Sequence, residues 1–166
     1  MDKERYRVKI LYWEWKSFLK SGVEDAFIQL GIDIDRFTYQ LDGDWEHNET
    51  FISEFKGALE KAPYDGVFSV NYNPMISDIC EKKGVVYYSW VYDSPIHIRD
   101  ISSLKNSCNR AYFFDRGQVE AYAKDGYEVG YLPLAGDVET FGKSIKKHGA
   151  VKSEIAFVGQ MYTSDY

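Results

Sequence analysis

Short strand-like runs alternate with helical stripes along most of this chain, and this alternation limits the folds open to it. The run Arg7–Trp13 (RVKILYW) is rich in β-branched and aromatic residues, which predicts a strand. Apolar residues then recur at helical spacing as far as Leu30, and Gly31 follows where a helix would end. The same succession recurs further along the chain. It predicts an α/β fold with a Rossmann-like, doubly wound and mainly parallel sheet of about six strands flanked by helices.

The longest apolar run predicts the centre of that sheet. Val85–Tyr92 (VVYYSWVY) lacks the polar alternation of a half-exposed strand, so we expect it to be buried on both faces. The pair Ser94-Pro95 is expected to open a helix, and its apolar face would hold Ile98, Ile101 and Leu104. The other predicted strands are Ile32–Leu41, Asp65–Tyr72, Arg110–Phe114, Val129–Leu134 and Ile155–Val158, and further helices are predicted to begin near Thr50, Asn73 and Asp115.

Length, charge and composition narrow the class of protein. The 166 residues suit one domain, and hydrophobic residues at 45% exclude a disordered chain. A net charge of −6 without a basic stretch excludes a nucleic-acid partner. No run approaches the ~18 apolar residues of a membrane span, and no signal peptide is recognisable, so we expect a cytoplasmic protein. Cys80 and Cys108 are expected to be buried free thiols rather than a disulfide or a metal pair.

Ligands of open parallel sheets bind beyond the carboxyl ends of the strands. The predicted loops at that edge are rich in Trp, Tyr, Asn, Asp and His. This composition suits polyhydroxylated ligands, because aromatic rings stack on sugar faces while amides and carboxylates form hydrogen bonds with hydroxyl groups. The candidate substrate-binding residues are Trp13, Trp15, Ser17, Asn71, Tyr72, Asn73, Ser94 and Arg116.

Several residues of this edge have a structural alternative. Asn73 could simply cap the helix that follows it. Asp93 could be a functional carboxylate or could cap a helix beginning near Pro95. His97 could be a solitary surface histidine. Trp13 and Trp15 alternate along their strand, so their rings are expected to face away from each other, one in the core and the other at the rim.

Several familiar sites are absent from the sequence. There is no G-x-G-x-x-G after the first strand, which excludes a dinucleotide-binding site, and there is no P-loop motif, which excludes a P-loop enzyme. Neither G-x-S-x-G nor a pair of C-x-x-C motifs occurs either. A phosphorylation receiver domain would share the size and topology. It needs an acidic pair after the first strand and an aspartate after the third, where this chain has Glu14 and Asn71, so we do not expect a receiver domain.

Three segments carry a resemblance to a known family. Tyr87–Pro95 (YYSWVYDSP) is a strand ending in an Asp-Ser-Pro turn, Tyr131–Asp137 reads YLPLAGD, and Glu154–Gly159 reads EIAFVG. In this order they resemble the N-terminal region of the CgeB-like (spore maturation protein) family of bacterial glycosyltransferases. The resemblance is clearest from Val85 to Met161.

The resemblance implies a GT-B, family 1-like enzyme built of two Rossmann-like halves. Residues 1–150 would form the N-terminal, acceptor-side half, and residues 151–166 the first strand of a second half or the last strand of the sheet. No cofactor is expected in the first half, since the nucleotide-sugar donor would bind the C-terminal half. The partners implied are therefore a sugar or glycan acceptor and that C-terminal catalytic domain. The 166-residue chain alone is expected to be inactive, and the glycine-rich loop that many GT-B enzymes carry after the first strand is not evident.

Glycosyl transfer by an inverting enzyme requires a general base near the acceptor hydroxyl. Asp93 is the first candidate for this catalytic role and His97 the second, because of their position and chemistry. No metal site is expected, since such enzymes stabilise the leaving diphosphate with helix N-termini and basic side chains. The alternative is a non-catalytic module that binds a carbohydrate or a partner through the same aromatic edge.

Overall fold

A computed structural model of the chain describes residues 7–17 and 19–136, which form a six-stranded sheet with all strands parallel. The strands are β1 (Lys9–Glu14), β2 (Asp33–Thr38), β3 (Gly66–Val70), β4 (Tyr87–Val91), β5 (Asn109–Phe113) and β6 (Val129–Tyr131). The helices are α1 (Lys20–Leu30), α2 (Glu49–Leu59), α3 (Pro74–Lys83) and α4 (Arg116–Lys124), and a 3-10 helix spans Ser102–Lys105. The strand order is β2-β1-β3-β4-β5-β6, so the predicted α/β, Rossmann-like fold is confirmed.

Helices lie on both faces of this sheet, as a doubly wound fold requires. On one face α2 and α3 contribute Phe51, Phe55 and Ile76 to the main core, together with Trp13 of β1. On the other face α1 contributes Val23 to a smaller core. The predicted helix ends are also confirmed: Gly31 and Gly84 end α1 and α3 with φ values of 69° and 67°, a region that glycine enters without steric cost.

The helix predicted to begin at Ser94-Pro95 is not formed. The chain runs irregularly from there to the 3-10 helix. The carboxylate of Glu46 accepts hydrogen bonds from the backbone N–H groups of Arg99 (3.0 Å) and Asp100 (3.3 Å), which a helix would direct to its own carbonyl groups. Ile98 and Leu104 are nevertheless buried, so the apolar spacing reflects core packing rather than a helix.

The expectation that β4 is buried on both faces is also wrong. Tyr87 and Val91 are fully buried against the main core, but Tyr88, which points to the opposite face, is 38% exposed. Tyr112 of the neighbouring strand is equally exposed on that face. Within the described residues α1 is the only helix on this face, and it packs over β1, β2 and β3.

Residues 137–166 lie outside the described part of the chain, and with them the predicted strand Ile155–Val158 and the proposed boundary at 150/151. Both cysteines are buried and free, as expected, and burial raises the pKa of both thiols, that of Cys108 to about 11. Within residues 7–17 and 19–136, no helix combines the length and the apolar character needed to cross a bilayer.

Phe51 lies at the centre of the aromatic packing that joins α2 to the sheet. It is fully buried and its ring lies 5.1 Å from that of Trp13 and 5.8 Å from that of Phe55. We expect Phe51→Ala to lower the free energy of unfolding by about 3–5 kcal/mol, measured by urea denaturation, because the cavity is added to the lost burial. Ile28→Ala on α1, where the side chain is 68% exposed, should change it by less than about 0.5 kcal/mol. A similar loss in both variants would contradict this core.

Candidate functional site

The sheet reverses its winding direction between β1 and β3. The chain leaves β1 for β2 on one side and then crosses to β3 on the other, so the carboxyl ends of β1 and β3 are neighbours at a topological switch point. Trp15, one residue beyond β1, spans this junction, because its indole Nε1 donates a hydrogen bond to the carbonyl of Val70 at 2.8 Å. An aromatic wall therefore lies where this fold class places its ligands.

A second tryptophan is brought to this wall by the loop between β2 and α2. The Asp44 carboxylate accepts hydrogen bonds from the N–H groups of Glu46 and His47, each at 2.8 Å, and these donors lower the pKa of Asp44. The turn presents Trp45, whose ring packs edge-on against Trp15 with centroids 5.4 Å apart. The conformation of this short turn thus decides where Trp45 lies.

Beside the two indoles is a hollow of about 240 Å³, open to solvent at the carboxyl edge of the sheet. It is smaller than the ~300–1,000 Å³ of typical pockets for drug-sized ligands, so one sugar ring suits it better than a dinucleotide. Its wall is mainly apolar, with an amide, a carboxylate and an imidazole among the rings. The lining residues are Trp15, Trp45, Asn71, Tyr72, Asp93, Ile96, His97 and Ile98.

The polar groups of the hollow form a connected set around Asp93. Asn71 donates a hydrogen bond from Nδ2 to Asp93 Oδ2 at 2.6 Å, and His97 Nε2 lies 3.3 Å from the same oxygen. The side chain of Asp93 is 28% exposed and that of His97 is 80% exposed. Asp93 Oδ1 accepts no hydrogen bond within the described residues. The hollow therefore offers one carboxylate oxygen held by the protein and one free to meet a ligand.

Tyr72 forms part of the wall without offering its hydroxyl to the hollow. That hydroxyl exchanges a hydrogen bond of 2.6 Å with Ser103 Oγ, and burial raises the pKa of Tyr72 to about 12. The side chain is 1% exposed. Tyr72 therefore contributes a ring and a fixed boundary, and stays neutral throughout the physiological range.

Five of the ten candidate residues line the hollow together: Trp15, Asn71, Tyr72, Asp93 and His97. They come from the ends of β1, β3 and β4, as the carboxyl-edge rule predicts. His97, which could have been a solitary surface histidine, is paired with Asp93. Asp93 itself does not cap a helix, since none begins near Pro95.

The structure places the other five candidates elsewhere. Trp13 is fully buried in the core and Trp15 lies at the rim, as expected, but the expectation that the two rings face away from each other is wrong. Both contact Trp45, because residues two apart along an extended backbone share a face. The remaining four candidates contact other parts of the protein. Ser17 Oγ accepts the N–H of Leu19, and Asn73 caps α3 by accepting the N–H of Ile76. Ser94 Oγ donates to Asp115 Oδ2, and the Arg116 guanidinium lies 4.4 Å from the centroid of the Tyr131 ring.

Sequence reasoning does not single out three lining residues, namely Trp45, Ile96 and Ile98. The two isoleucines belong to the segment expected to be helical, so their direction could not be read from spacing. The position of Trp45 in an otherwise polar loop does indicate that its ring packs against other groups, because a large ring is unfavourable in water. Its partner in the fold, however, is not evident from the loop itself.

A second hollow, of about 260 Å³, lies between the Trp45 loop and the start of α3 and carries three carboxylates. Glu46 already accepts two backbone N–H groups, and Asp78 accepts the Asn106 amide at 2.9 Å. Those groups hold loops rather than a ligand, so the smaller hollow is the better candidate site. Nowhere in residues 7–17 and 19–136 do three His, Cys, Asp or Glu side chains meet in a way that could hold a metal ion.

Comparison with known proteins does not place the chain in a family. No protein-family model matches the chain, and no curated protein matches it. Among solved structures, the chain is similar to the beryllofluoride-activated NTRC receiver domain, whose solution structure is known. The two share 14% sequence identity over 81% of this chain and 88% of that one, with a TM-score of 0.39.

The Asp44 turn yields a pH-dependent prediction. Because the folded chain lowers the pKa of Asp44 below its ordinary value of 3.8, the stabilisation that it provides is complete above that value and is lost as the pH falls through the lowered pKa. Asp44→Asn keeps an acceptor oxygen but loses the charge. We expect its urea midpoint to lie below that of the wild type near neutral pH and to converge with it in strong acid.

The control is Asp25→Asn on the exposed side of α1, where the carboxylate accepts no hydrogen bond within the described residues. This substitution should leave the midpoint unchanged at both pH values. A difference between wild type and Asp44→Asn that does not vary with pH would contradict the role of the Asp44 charge.

Proposed function

We propose that this chain is the acceptor-binding half of a GT-B glycosyltransferase and that the Trp15–Trp45 hollow receives a hydroxyl group of a sugar or glycan acceptor. The observation that supports this most is the Asp93–His97 pair beside two indole rings at the topological switch point. The sequence resemblance to CgeB-like glycosyltransferases points the same way. In this proposal the nucleotide-sugar donor binds a second, C-terminal half.

The composition of the hollow supports a sugar over a purely apolar ligand. Trp15 and Trp45 present ring surface that the C–H face of a pyranose can cover. Asp93 and His97 lie beside that surface and can bind hydroxyl groups, which are donors and acceptors at once. A site with rings on one side and polar hydrogen-bonding groups on the other matches the two kinds of surface that a sugar carries.

The chemistry assigned to Asp93 is general base catalysis. The acceptor hydroxyl donates a hydrogen bond to Asp93 Oδ1, the oxygen with no partner within the described residues. As the acceptor oxygen forms a bond to the anomeric carbon of the donor, its proton passes to Oδ1 and the nucleoside diphosphate departs with the electron pair of the broken bond. Asn71 and His97 hold Oδ2 during this step.

The assignment of the protein to the cytoplasm is part of the same proposal. Both cysteines of the chain are buried and unbonded, which is typical of a reducing compartment.

Asp93→Asn tests the catalytic role. In the protein that carries this half together with its donor-binding half, we expect transfer to fall by about 10²–10⁴-fold, since the amide cannot accept the proton. Acceptor binding should remain, and Asp25→Asn should transfer at the wild-type rate. Turnover would be followed by mass spectrometry of the glycosylated product. Undiminished transfer by Asp93→Asn would contradict the assignment.

Trp45→Ala tests the sugar site and also separates the enzyme from the non-catalytic module. We expect acceptor affinity to fall by about tenfold, measured by calorimetry, because the stacking surface is lost. Trp90→Ala is the matched control. Trp90 of β4 lies on the face of the sheet opposite the main core, and it does not line the hollow. If Trp45→Ala weakens binding but the two-half protein transfers no sugar, the chain is a carbohydrate-binding module. Equal affinities in wild type and Trp45→Ala would refute the sugar site.

A further inference from the structure

Asn71 has an uncommon backbone conformation at the end of β3. Its φ value is 64°, in the left-handed region, which few residues other than glycine adopt and asparagine tolerates best. Its backbone N–H donates to the carbonyl of Trp90 on β4 at 2.9 Å, and the residue is 8% exposed. The left-handed conformation turns the chain out of the sheet while keeping Asn71 attached to β4.

A buried series of hydrogen bonds stabilises this turn. Ser69 Oγ donates its only proton to the carbonyl of Asn71 at 2.5 Å. The hydrogen bond of 2.6 Å between Ser69 Oγ and the Tyr87 hydroxyl must therefore be donated by Tyr87. The Tyr87 oxygen in turn accepts the backbone N–H of Asn73 at 3.0 Å. We call this chain, from Asn73 through Tyr87 and Ser69 to Asn71, the Tyr87 relay.

The side chains of the Tyr87 relay are inaccessible to solvent. Ser69, Tyr87 and Asn73 are each 0% exposed, and burial raises the pKa of Tyr87 far above its ordinary value. The hydroxyl of Tyr87 is therefore protonated at neutral pH and can donate to Ser69. Because a buried donor or acceptor left without a partner is unfavourable, the relay favours a single conformation of residues 71–73.

The side chain of Asn71 extends from this turn to the candidate base. Its amide oxygen accepts the backbone N–H of Tyr92 at 3.1 Å, and its Nδ2 donates to Asp93 Oδ2 at 2.6 Å. Both ends of the amide are thus bound to protein groups. An amide used in this way orients a neighbouring carboxylate rather than recognising a sugar directly.

We propose that Asn71 is the positioning residue of Asp93 and that the Tyr87 relay, acting through Asn71, holds Asp93 Oδ1 towards the acceptor. The inference rests on the proposed function for the role of Asp93. It assigns to Asn71 a part different from the substrate contact that the sequence suggests, and it gives the core residues Tyr87 and Ser69 an effect on the site.

Asn71→Gly separates the amide from the backbone conformation. Glycine adopts a φ of 64° freely, so this variant keeps the turn and removes the side-chain amide, with its hydrogen bonds to Asp93 Oδ2 and from the Tyr92 N–H. We expect kcat to fall by about tenfold to a hundredfold with KM changed by less than about twofold, because a misplaced catalytic group slows the chemical step. Wild-type kcat in Asn71→Gly would overturn the proposal, since Asn71 would then matter only for its backbone.

Tyr87→Phe and Ser69→Ala break the relay without touching the hollow. In both variants we expect the side-chain amide signal of Asn71 to move in a ¹H–¹⁵N NMR spectrum and kcat to fall while KM is retained. Tyr12→Phe is the matched control, because the Tyr12 hydroxyl is buried but finds no hydrogen-bond partner within the described residues. An Asn71 signal that moves no more in the relay variants than in Tyr12→Phe would overturn the relay. Each relay variant removes one hydroxyl group that the hydrogen-bond chain needs, so either one that folds decides the outcome.

The contact between Asn71 and Asp93 is also tested without any substrate. Asp93→Asn replaces a charged acceptor by a neutral one, so the Asn71 amide protons should shift upfield as the hydrogen bond weakens. No shift would overturn the positioning role, whatever the activity. If the shift is seen but the wild-type protein transfers no sugar, the proposed function fails while the positioning of Asp93 by Asn71 stands.

Discussion

The junction of β1 and β3 is the constraint on which the rest of this structure depends. Parallel pairing brings two strand ends together that lie more than 50 residues apart in the chain, and the Trp15 indole closes the junction with a hydrogen bond of 2.8 Å to Val70. The reversal of winding at this point leaves an opening between the loops that follow the two strands. Without that reversal, Trp15 and Asn71 would lie over neighbouring helices rather than beside a shared hollow.

The aromatic residues of the chain divide between two tasks. One group, including Trp13, Phe51 and Phe55, joins α2 to the sheet through edge and stacked contacts in a dry core. The other group, Trp15 and Trp45, extends that core to the surface and becomes the wall of the hollow. Because Trp45 contacts both Trp13 and Trp15, the aromatic wall of the hollow is continuous with the core.

The local sequence pattern predicted the strands and most helices correctly but mispredicted one loop. The six strands, the helix ends at Gly31 and Gly84, and the placement of Asp93 at the carboxyl edge could all be predicted, because periodicity and turn chemistry act over a few residues. The segment from Ser94 to Leu104 could not, since its apolar spacing suits a helix as well as an irregular loop. Glu46, about fifty residues away in sequence, binds its backbone and decides between them.

The sequence by itself determined the α/β alternation and the edge at which chemistry-bearing residues collect, because these depend on short-range spacing and on the common direction of parallel strands. Only the tertiary structure decided that Trp45 reaches that edge and that Asn71 binds Asp93 rather than a ligand. It also connected Tyr87, which the sequence pattern places in the core, to Asn71 through the hydroxyl of Ser69. These outcomes depend on hydrogen bonds between residues on different strands and loops, whose partners follow from strand order and cannot be read from any single segment.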